Sequence, residues 1–420
     1  MSVATAALAQ GRRRIGRQEI LGVSYLILGG VILFVFARVE SGAQSSFGLN
    51  LGRGEVPLPD LVVPSALTAY VAAGMAAFAG AVQLTRGFGS RWALVLSIVV
   101  VAFVFAFLTW AAAGGSMNLA GLLQSTLQRS VPITFGALSG ILCERAGVVN
   151  IAIEGQLLFG AFASALVGSA TGNSWLGIVA AVIVGGLLAA LLAVLAIRYL
   201  VDQIIVGVVI LIFSVGMTSF LLSRLLIPNP QLNQPERFGP VDIPLLSGLP
   251  LIGPVVFRNN VFVYLMFAAI VIVHVLLFST RWGLRVRAVG EHPKAADTVG
   301  INVNFVRYRN VILGGMLAGL GGAYFTIGST GSFQEEMTAG RGFIGLAAMI
   351  FGGWAPAGSF LAAIVFGFAD ALQSRLSILN VAVPSQFLQM APYIVTIIIV
   401  AGLVGRVRAP AADGRPYKKE

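Results

Sequence analysis

The feature that most constrains this chain is a series of apolar runs, each about as long as a lipid bilayer is thick. The hydrocarbon core is ~30 Å across, and a helix needs about 20 apolar residues to cross it. A shorter run covers 343–353. The pattern predicts an all-α integral membrane protein, a polytopic bundle of about 10–12 transmembrane helices. The full-length runs lie at 20–38, 62–84, 92–114, 120–143, 150–170, 176–198, 203–225, 260–279, 309–330, 357–374 and 388–405.

Composition agrees with lipid as the main solvent. Of 420 residues, 57% are hydrophobic and 10% are charged, whereas a soluble protein carries about 25% charged residues. The single cysteine, Cys143, excludes an intramolecular disulfide and a cysteine-based metal cluster. The two histidines, His274 and His292, lie in different segments, so no metal site is predicted.

The net charge of +11 is carried mainly by arginine, and its distribution predicts the orientation. Arginines concentrate in 12–17, 86–91, 281–307 and the tail, which alternate with nearly neutral loops. Cytoplasmic loops of membrane proteins carry such an excess of positive charge, so nucleic acid is not an expected partner. We expect a multi-pass protein of the inner (cytoplasmic) membrane with both termini cytoplasmic. The run from residue 20 is longer than the apolar part of a signal peptide and is interpreted as an uncleaved first span.

The distinctive sequence begins after the first three runs. We therefore predict an N-terminal three-span bundle over 1–115, a transport core over 116–406 and a cytoplasmic tail over 407–420.

The first unusual motif places polar side chains at the start of an apolar run. Asn150 and Glu154 are four residues apart, which predicts that they share one helix face. A carboxylate in a span usually faces the bundle interior or a cavity, so both are candidates for the substrate path. The alternative is a helix start, with Asn150 as the cap and Glu154 near the positive helix end.

The second motif lies in the basic loop after the run 260–279. Pro293 suits the first turn of a helix and Gly300 suits its end, which predicts a short helix from Pro293 to Val299. A helix of one to two turns is not stable alone, so it needs a partner surface. The alternative is a solvated basic loop that only fixes topology.

The third motif, 340–358, reads as a short apolar helix that ends at glycines and a proline. Broken helices at membrane depth lie beside protein or a watery cavity, and solutes often meet their ends. The alternative is a structural hairpin. Phe343 and Trp354 have the aromatic faces to stack on a base, although packing in a core explains them equally simply.

Motifs that would supply energy or catalysis are missing from the sequence. There is no G-x-x-x-x-G-K-[ST], so the chain does not bind ATP by a P-loop. Uphill transport then needs a partner or an ion gradient. Asp370 and Glu154 are the candidates for a proton relay, which keeps a proton-coupled secondary transporter open. An intramembrane enzyme is a third hypothesis, but no catalytic pairing supports it.

At these three motifs the chain resembles ABC permeases of the branched-chain amino acid, ribose and simple-sugar type, and especially permeases of bacterial nucleoside importers. Residues 144–155 match the family pattern Glu-Arg-Ala-Gly-Val-Val-Asn-Ile-Gly-Ile-Glu-Gly, except for Ala152 in place of the second glycine. Residues 284–296 match Leu-Arg-x-Arg-Ala-Val-Gly-Glu-x-Pro-x-Ala-Ala, and 342–356 match a third signature. The resemblance covers about 116–406.

The resemblance implies a transport subunit that is not itself an enzyme and has no cofactor of its own. ATP would be bound by a partner ATP-binding cassette ATPase, and further partners would be a second permease subunit and an extracytoplasmic solute-binding protein or lipoprotein. Transport would proceed by alternating access, with nucleosides favoured as the solute and simple sugars such as ribose as the alternative. The short helix would be the coupling helix that contacts the ATPase. The implied coupling residues are Gly290, Glu291, Pro293, Lys294, Ala296, Asp297 and Gly300.

Overall fold

The structure is a computed structural model that describes residues 16–40, 42–51, 58–378 and 408–419. The apolar run at 388–405 lies outside the described residues. The chain divides into two compact units. The first comprises the chain up to Ala120 and a short stretch from Leu376, and the second comprises Gly121–Arg375 and the C-terminal segment.

The first unit holds three long helices and a small sheet. Alanines on one face of the second helix, Ala69, Ala72, Ala73 and Ala76, are buried and allow close packing. The strands pair in the order β2-β1-β3, with β1 antiparallel to β2 and parallel to β3. The elements are α1 (Arg17–Val31, extended by a π-helical turn Ile32–Phe36), β1 (Gln44–Gly48), β2 (Leu61–Pro64), α2 (Ser65–Thr85), α3 (Trp92–Ala111) and β3 (Ser116–Asn118).

The second unit is built from helices, with one two-stranded antiparallel pairing, β4 with β5. Its first helix, α4, begins at Leu119 and runs through the core, where most of its residues are buried. The elements are α4 (Leu119–Glu144), α5 (Ile153–Thr171), α6 (Ser174–Ala193), α7 (Gln203–Leu221), β4 (Val241–Asp242), α8 (Ile252–Val256), β5 (Arg258–Asn259), α9 (Val261–Ser279), α10 (Arg281–Glu291), α11 (Pro293–Thr298), α12 (Val303–Ala323), α13 (Arg341–Phe351) and α14 (Pro356–Ile378).

Small residues lie where α12 crosses α6 in the core of this unit, and they allow the two backbones to come almost into contact. A Cβ built on Gly185 of α6 would lie 2.8 Å from the Cα of Gly319 on α12, closer than side chains approach. Without a hydrophobic driving force in lipid, such close packing is what holds helices together.

In the described part of the chain, nine helices are long and apolar enough to cross a membrane. This confirms a polytopic helical membrane protein, while the count of 10–12 spans stays a prediction. Helix α4 covers the predicted run 120–143 but is not among the nine, since it carries many polar side chains. The short strands were not predicted. The nine spans are Arg17–Phe36, Ser65–Thr85, Gly89–Ala111, Ile153–Thr171, Ser174–Arg198, Gln203–Leu226, Val261–Ser279, Val303–Thr330 and Pro356–Ser377.

Candidate functional site

The broken helix predicted after α12 is present as α13, and it reaches only part of the way through a membrane. Its 11 residues give a length of ~16 Å, about half of a hydrocarbon core. Its end is tied to the end of α4. The indole Nε1 of Trp354 donates to Oε2 of Glu144 at 2.6 Å, and Nη2 of Arg145 donates to the carbonyl oxygen of Trp354 at 3.0 Å. We call this side of the second unit, where α4 and α9 finish and α10 and α11 lie, the coupling end, after the role that the resemblance implies for α11.

The other end of α13 is capped by Glu154, which comes from the first turn of α5. Its Oε1 accepts from Oγ1 of Thr338 at 2.7 Å and from the backbone N–H of Gly340 at 2.8 Å. Its Oε2 accepts from the N–H of Gly342 at 2.6 Å. The side chain is 6% exposed. A carboxylate at a helix N-terminus satisfies free N–H groups and meets the positive end of the helix dipole.

Asn150 does not share a helix face with Glu154, so that expectation was wrong. Helix α5 begins at Ile153, and the preceding residues form turns, which places Asn150 ahead of the helix and not at its cap. Asn150 is fully buried. Its Nδ2 donates to Oε1 of Gln156 at 3.0 Å and contacts Sγ of Cys143 at 3.6 Å.

The two aromatic candidates differ in exposure. Trp354 is buried and has φ +54°, and its indole serves the contact with Glu144. Phe343 is 43% exposed on α13. The substrate-path role of Asn150, Glu154, Phe343 and Trp354 stays a prediction.

A charged triad joins three helices near the start of α13. Nη1 of Arg129 on α4 lies 2.8 Å from Oδ1 of Asp370 on α14, and Nη2 of Arg341 lies 3.0 Å from Oδ2 of the same carboxylate. Arg129 also donates to Oγ of Ser374 at 2.8 Å. The three charged side chains are between 22% and 32% exposed.

The triad lies deep in the spans. Asp370 follows the start of α14 at Pro356 by ~21 Å along the helix axis. Charges at such depth normally pair and face the bundle interior or a water-filled cavity. Sequence reasoning singled out Asp370 but missed Arg129 and Arg341. The sequence did contain a signal for both residues, because each of these arginines lies within or at the edge of an apolar run.

The predicted short helix of the basic loop is present as α11. The Nδ1 of His292 accepts from the N–H of Ala295 at 3.2 Å and caps the helix, Pro293 opens it, and Gly300 follows it with φ +84°. Within α11 only Ala296 is buried, while Lys294 is exposed. The coupling role of these residues stays a prediction.

A second helix, α10, precedes α11 and was not predicted. Its signal was present, because Oγ1 of Thr280 accepts from the N–H of Gly283 as an N-cap. Gly290 is buried in α10, and Glu291 ends it. Three large apolar side chains nearby are exposed: Leu284 (61%), Val299 (74%) and Phe305 (61%). Exposed apolar groups beside charged ones are typical of interaction surfaces.

Comparison with known proteins identifies the family to which this chain belongs. A family model described as "Branched-chain amino acid transport system / permease component" matches residues 122–404. The nucleoside ABC transporter permease protein NupC of Lactococcus lactis is 38% identical over 317 residues, which cover 72% of this chain and 99% of the relative. The guanosine ABC transporter permease protein NupQ of Bacillus subtilis is 38% identical over 308 residues, covering 71% and 96%.

A third relative is named for a different solute. The putative glucose ABC transporter permease protein TsgC13 of Haloferax volcanii is 33% identical over 324 residues, covering 72% of this chain and 98% of the relative. No solved structure matches the chain. The family resemblance found at the three motifs is thereby confirmed over residues 122–404. The chain belongs to the branched-chain amino acid transport system / permease component family and is a membrane-spanning permease of an ABC transporter.

Proposed function

We propose that this permease imports nucleosides across the cytoplasmic membrane by alternating access. The observation that carries the proposal is the 38% identity, over almost their whole length, to two permeases named for nucleoside and guanosine transport. Simple sugars are the second candidate, because a relative named for glucose is 33% identical. A proton relay through Asp370 has less support, since two guanidinium groups hold that carboxylate in ion pairs.

We infer that a partner ATPase binds and hydrolyses ATP, and that it docks on α11 at the coupling end. The implied coupling residues lie at or beside this helix, and the exposed Leu284, Val299 and Phe305 offer apolar contact area. The arginine distribution supports a cytoplasmic location for this end. A solute-binding protein would deliver the solute on the opposite side, and a second permease subunit would complete the path. The permease itself needs no cofactor.

We further infer that the solute passes the triad and the start of α13. Guanidinium groups donate hydrogen bonds in a fixed fork, which suits the carbonyl, ring-nitrogen and hydroxyl acceptors of a nucleoside. Phe343 lies two residues along α13 from Arg341 and therefore points to another side of the helix, so its contact with the solute stays a separate prediction. Arg129 and Arg341 are the side chains that we assign to solute contact.

The test is uptake of radiolabelled guanosine and ribose in cells that express the permease with its ATPase and binding protein. Lys294→Glu reverses an exposed charge on α11. Arg86→Glu, in the loop after α2, is the matched control because it makes the same kind of charge reversal at an exposed residue of another basic loop. We expect Lys294→Glu to lower guanosine uptake about tenfold, since a misplaced docking contact weakens both binding and steering.

Three results would speak against the proposal in different ways. If wild type took up ribose but not guanosine, simple sugars would become the proposed solute in place of nucleosides. Equal losses in Lys294→Glu and Arg86→Glu would remove the special role of α11. Uptake that survives without any ATPase would contradict the ABC mechanism.

A further inference from the structure

The C-terminal segment 408–419 lies on the coupling end, against the last residues of α10. The backbone N–H of Ala412 donates to the carbonyl oxygen of Gly290 at 2.9 Å. The N–H of Ala411 donates to Oε2 of Glu291 at 3.3 Å. The family match ends before this segment, at residue 404. Residues beyond the matched part therefore contact two of the positions implied in coupling.

Side chains extend the contact to α11. Tyr417 is buried in the same apolar cluster as Ala296 of α11 and Val286 of α10. Nζ of Lys419 lies 3.9 Å from Oδ1 of Asp297. An exposed ion pair of this length contributes little, whereas a buried tyrosine ring removes a large apolar area from water. Tyr417 is therefore the main anchor.

Three parts of the second unit meet at Gly147, in the loop after α4. This glycine has φ +81°, and a Cβ built on it would lie 2.9 Å from Nη2 of Arg307 and 3.1 Å from the carbonyl oxygen of Ala412. Arg307 of α12 is 1% exposed, and its Nη1 donates to the carbonyl oxygen of Arg415 at 3.1 Å. The segment thus fills a site that the loop and α12 shape between them.

The segment also reaches the end of α13. The carboxyl group of Asp413 is electrostatically coupled to that of Glu144, and Glu144 also accepts from the indole of Trp354. Two facing carboxyl groups hold together only when they share a proton or a cation, and Arg307 attracts Asp413. Ala412 of the segment packs against Gly147, and Arg145 in the same turn donates to the carbonyl oxygen of Trp354 at 3.0 Å. Contacts therefore run from the end of α10 through the segment and this turn to the broken helix.

We propose that residues 408–419 form a positioning segment of the coupling apparatus, which joins α10 and α11 to the end of α13. Movement of the coupling helix then reaches the solute path through the segment, Glu144 and Trp354. The inference rests on the proposed function, because it assigns a route for the movement that the ATPase would impose. Packed side chains and hydrogen bonds are the means by which such movement is carried between sites.

The test measures two quantities that need no solute, in lipid nanodiscs with the full chain and its ATPase. Hydrogen exchange of the backbone amides 288–300 reports whether the segment holds α11. Permease-dependent stimulation of ATP hydrolysis, with the Kd for the ATPase measured separately, reports coupling. We expect Tyr417→Ala to raise the exchange rates about tenfold by local opening. The same change should lower the stimulation about tenfold through misplacement, with Kd changed less than about threefold.

Matched variants separate positioning from folding. Asp413→Ala removes the link to Glu144, whereas Asp413→Asn keeps a side chain that donates to a carboxylate. Lys418→Ala alters the exposed neighbour of Tyr417. We expect Asp413→Ala to lose stimulation, and Asp413→Asn and Lys418→Ala to keep it. Exchange in residues 174–180 of α6 serves as the internal reference, because Gly177 packs against Gly168 near the C-terminal end of α5.

Two results would overturn the inference even when the permease works. One is unchanged exchange at 288–300 in Tyr417→Ala. The other is full stimulation in both Tyr417→Ala and Asp413→Ala. Wild type that stimulates its ATPase but takes up no guanosine would instead contradict only the solute assignment. Wild type that binds no ATPase would contradict the proposed function, and the route with it.

Discussion

A carboxylate at membrane depth is costly unless it is paired, and Glu154 meets three hydrogen-bond donors at the start of α13. Hydrogen bonds to a charged group contribute about 1.5–3 kcal/mol each, while an unsatisfied partner costs a comparable amount. The side chain therefore fixes the N-terminus of α13 to α5. The helix-start interpretation is confirmed for Glu154, which lies in the first turn of α5 and also caps α13, while its role in the substrate path stays a prediction.

Asp413 gives the positioning segment a dependence on pH. Burial raises the pKa of Asp413 to about 6, although Glu144, Gly414 and Arg307 act to lower it. The ordinary pKa of an aspartate is about 3.9. A group whose pKa is raised by docking favours the docked state when protonated, so docking is strongest at low pH and weakens as pH rises through about 6.

A nitroxide label at Lys418→Cys measures this effect. The native Cys143 is buried, so the label reports position 418. Linkage for Asp413 alone gives a rise of about fourfold in the ratio of immobile to mobile label from pH 8 to pH 5.5, and uptake of a proton by its coupled partner Glu144 should add to this rise. Asp413→Asn in the same background should reduce the change, because it removes one of the two coupled carboxyl groups. A dependence that persists undiminished in that variant would assign the titration to another group.

Single residues also show which features of the site could not be predicted from the sequence. The spacing of Asn150 and Glu154 suggested a shared helix face, but the turn at Gly147 delays the helix start to Ile153. The partners of Asp370 were missed because a lone arginine near an apolar run says nothing about which distant helix it meets. Side-chain pairing across helices depends on packing, which local spacing does not encode.

At the scale of elements, the triad acts as a junction of α4, α13 and α14. Asp370→Asn leaves two guanidinium groups close together without their shared carboxylate. Because the side chains are partly exposed, we expect a loss of only about 1–2 kcal/mol in unfolding free energy. Arg341→Gln alone should also destabilise. The double variant should cost less than the sum of the two, since removing both partners leaves no isolated charge.

Denaturant unfolding of the four proteins in the cycle gives the coupling energy. Arg375→Gln on α14 is the matched control, because it removes an arginine from the same helix outside the triad. We expect the pair of Asp370→Asn with Arg375→Gln to be additive. Additivity of Asp370→Asn with Arg341→Gln would show that the ion pair contributes nothing to the junction.

Helix α11, which carries strong signals at both of its ends, was predictable from the sequence. Pro293 and Gly300 defined α11 to within one residue of its end. Helix α10 was missed, although Thr280 caps it, because the basic loop was interpreted as a connection. The broken helix α13 followed from its flanking glycines and proline. Its cap by Glu154 did not, because that contact joins residues far apart in the sequence.

At the scale of the whole molecule, the segment 408–419 and the helices α10 and α11 occupy the same end of the second unit. If that end is cytoplasmic, a thiol introduced by Lys418→Cys should react with a membrane-impermeant maleimide in inside-out vesicles and not in intact spheroplasts. A thiol introduced at Glu236→Cys, in the loop between α7 and α9, is the matched control and should show the opposite pattern. Labelling of both positions from the same side would contradict the topology predicted from the arginines.

The crossing of α6 and α12 also limits which substitutions this sequence can accept during evolution. Gly185, Gly315 and Gly319 bring the two backbones together, and a methyl group on any of them meets the facing helix. Any larger residue must therefore be accommodated by separating the helices, which would disturb α5, because α5 packs against both of them. Among descendants of this chain, the three positions should stay small together or change together, while the lipid-facing sides of the same helices are free to vary.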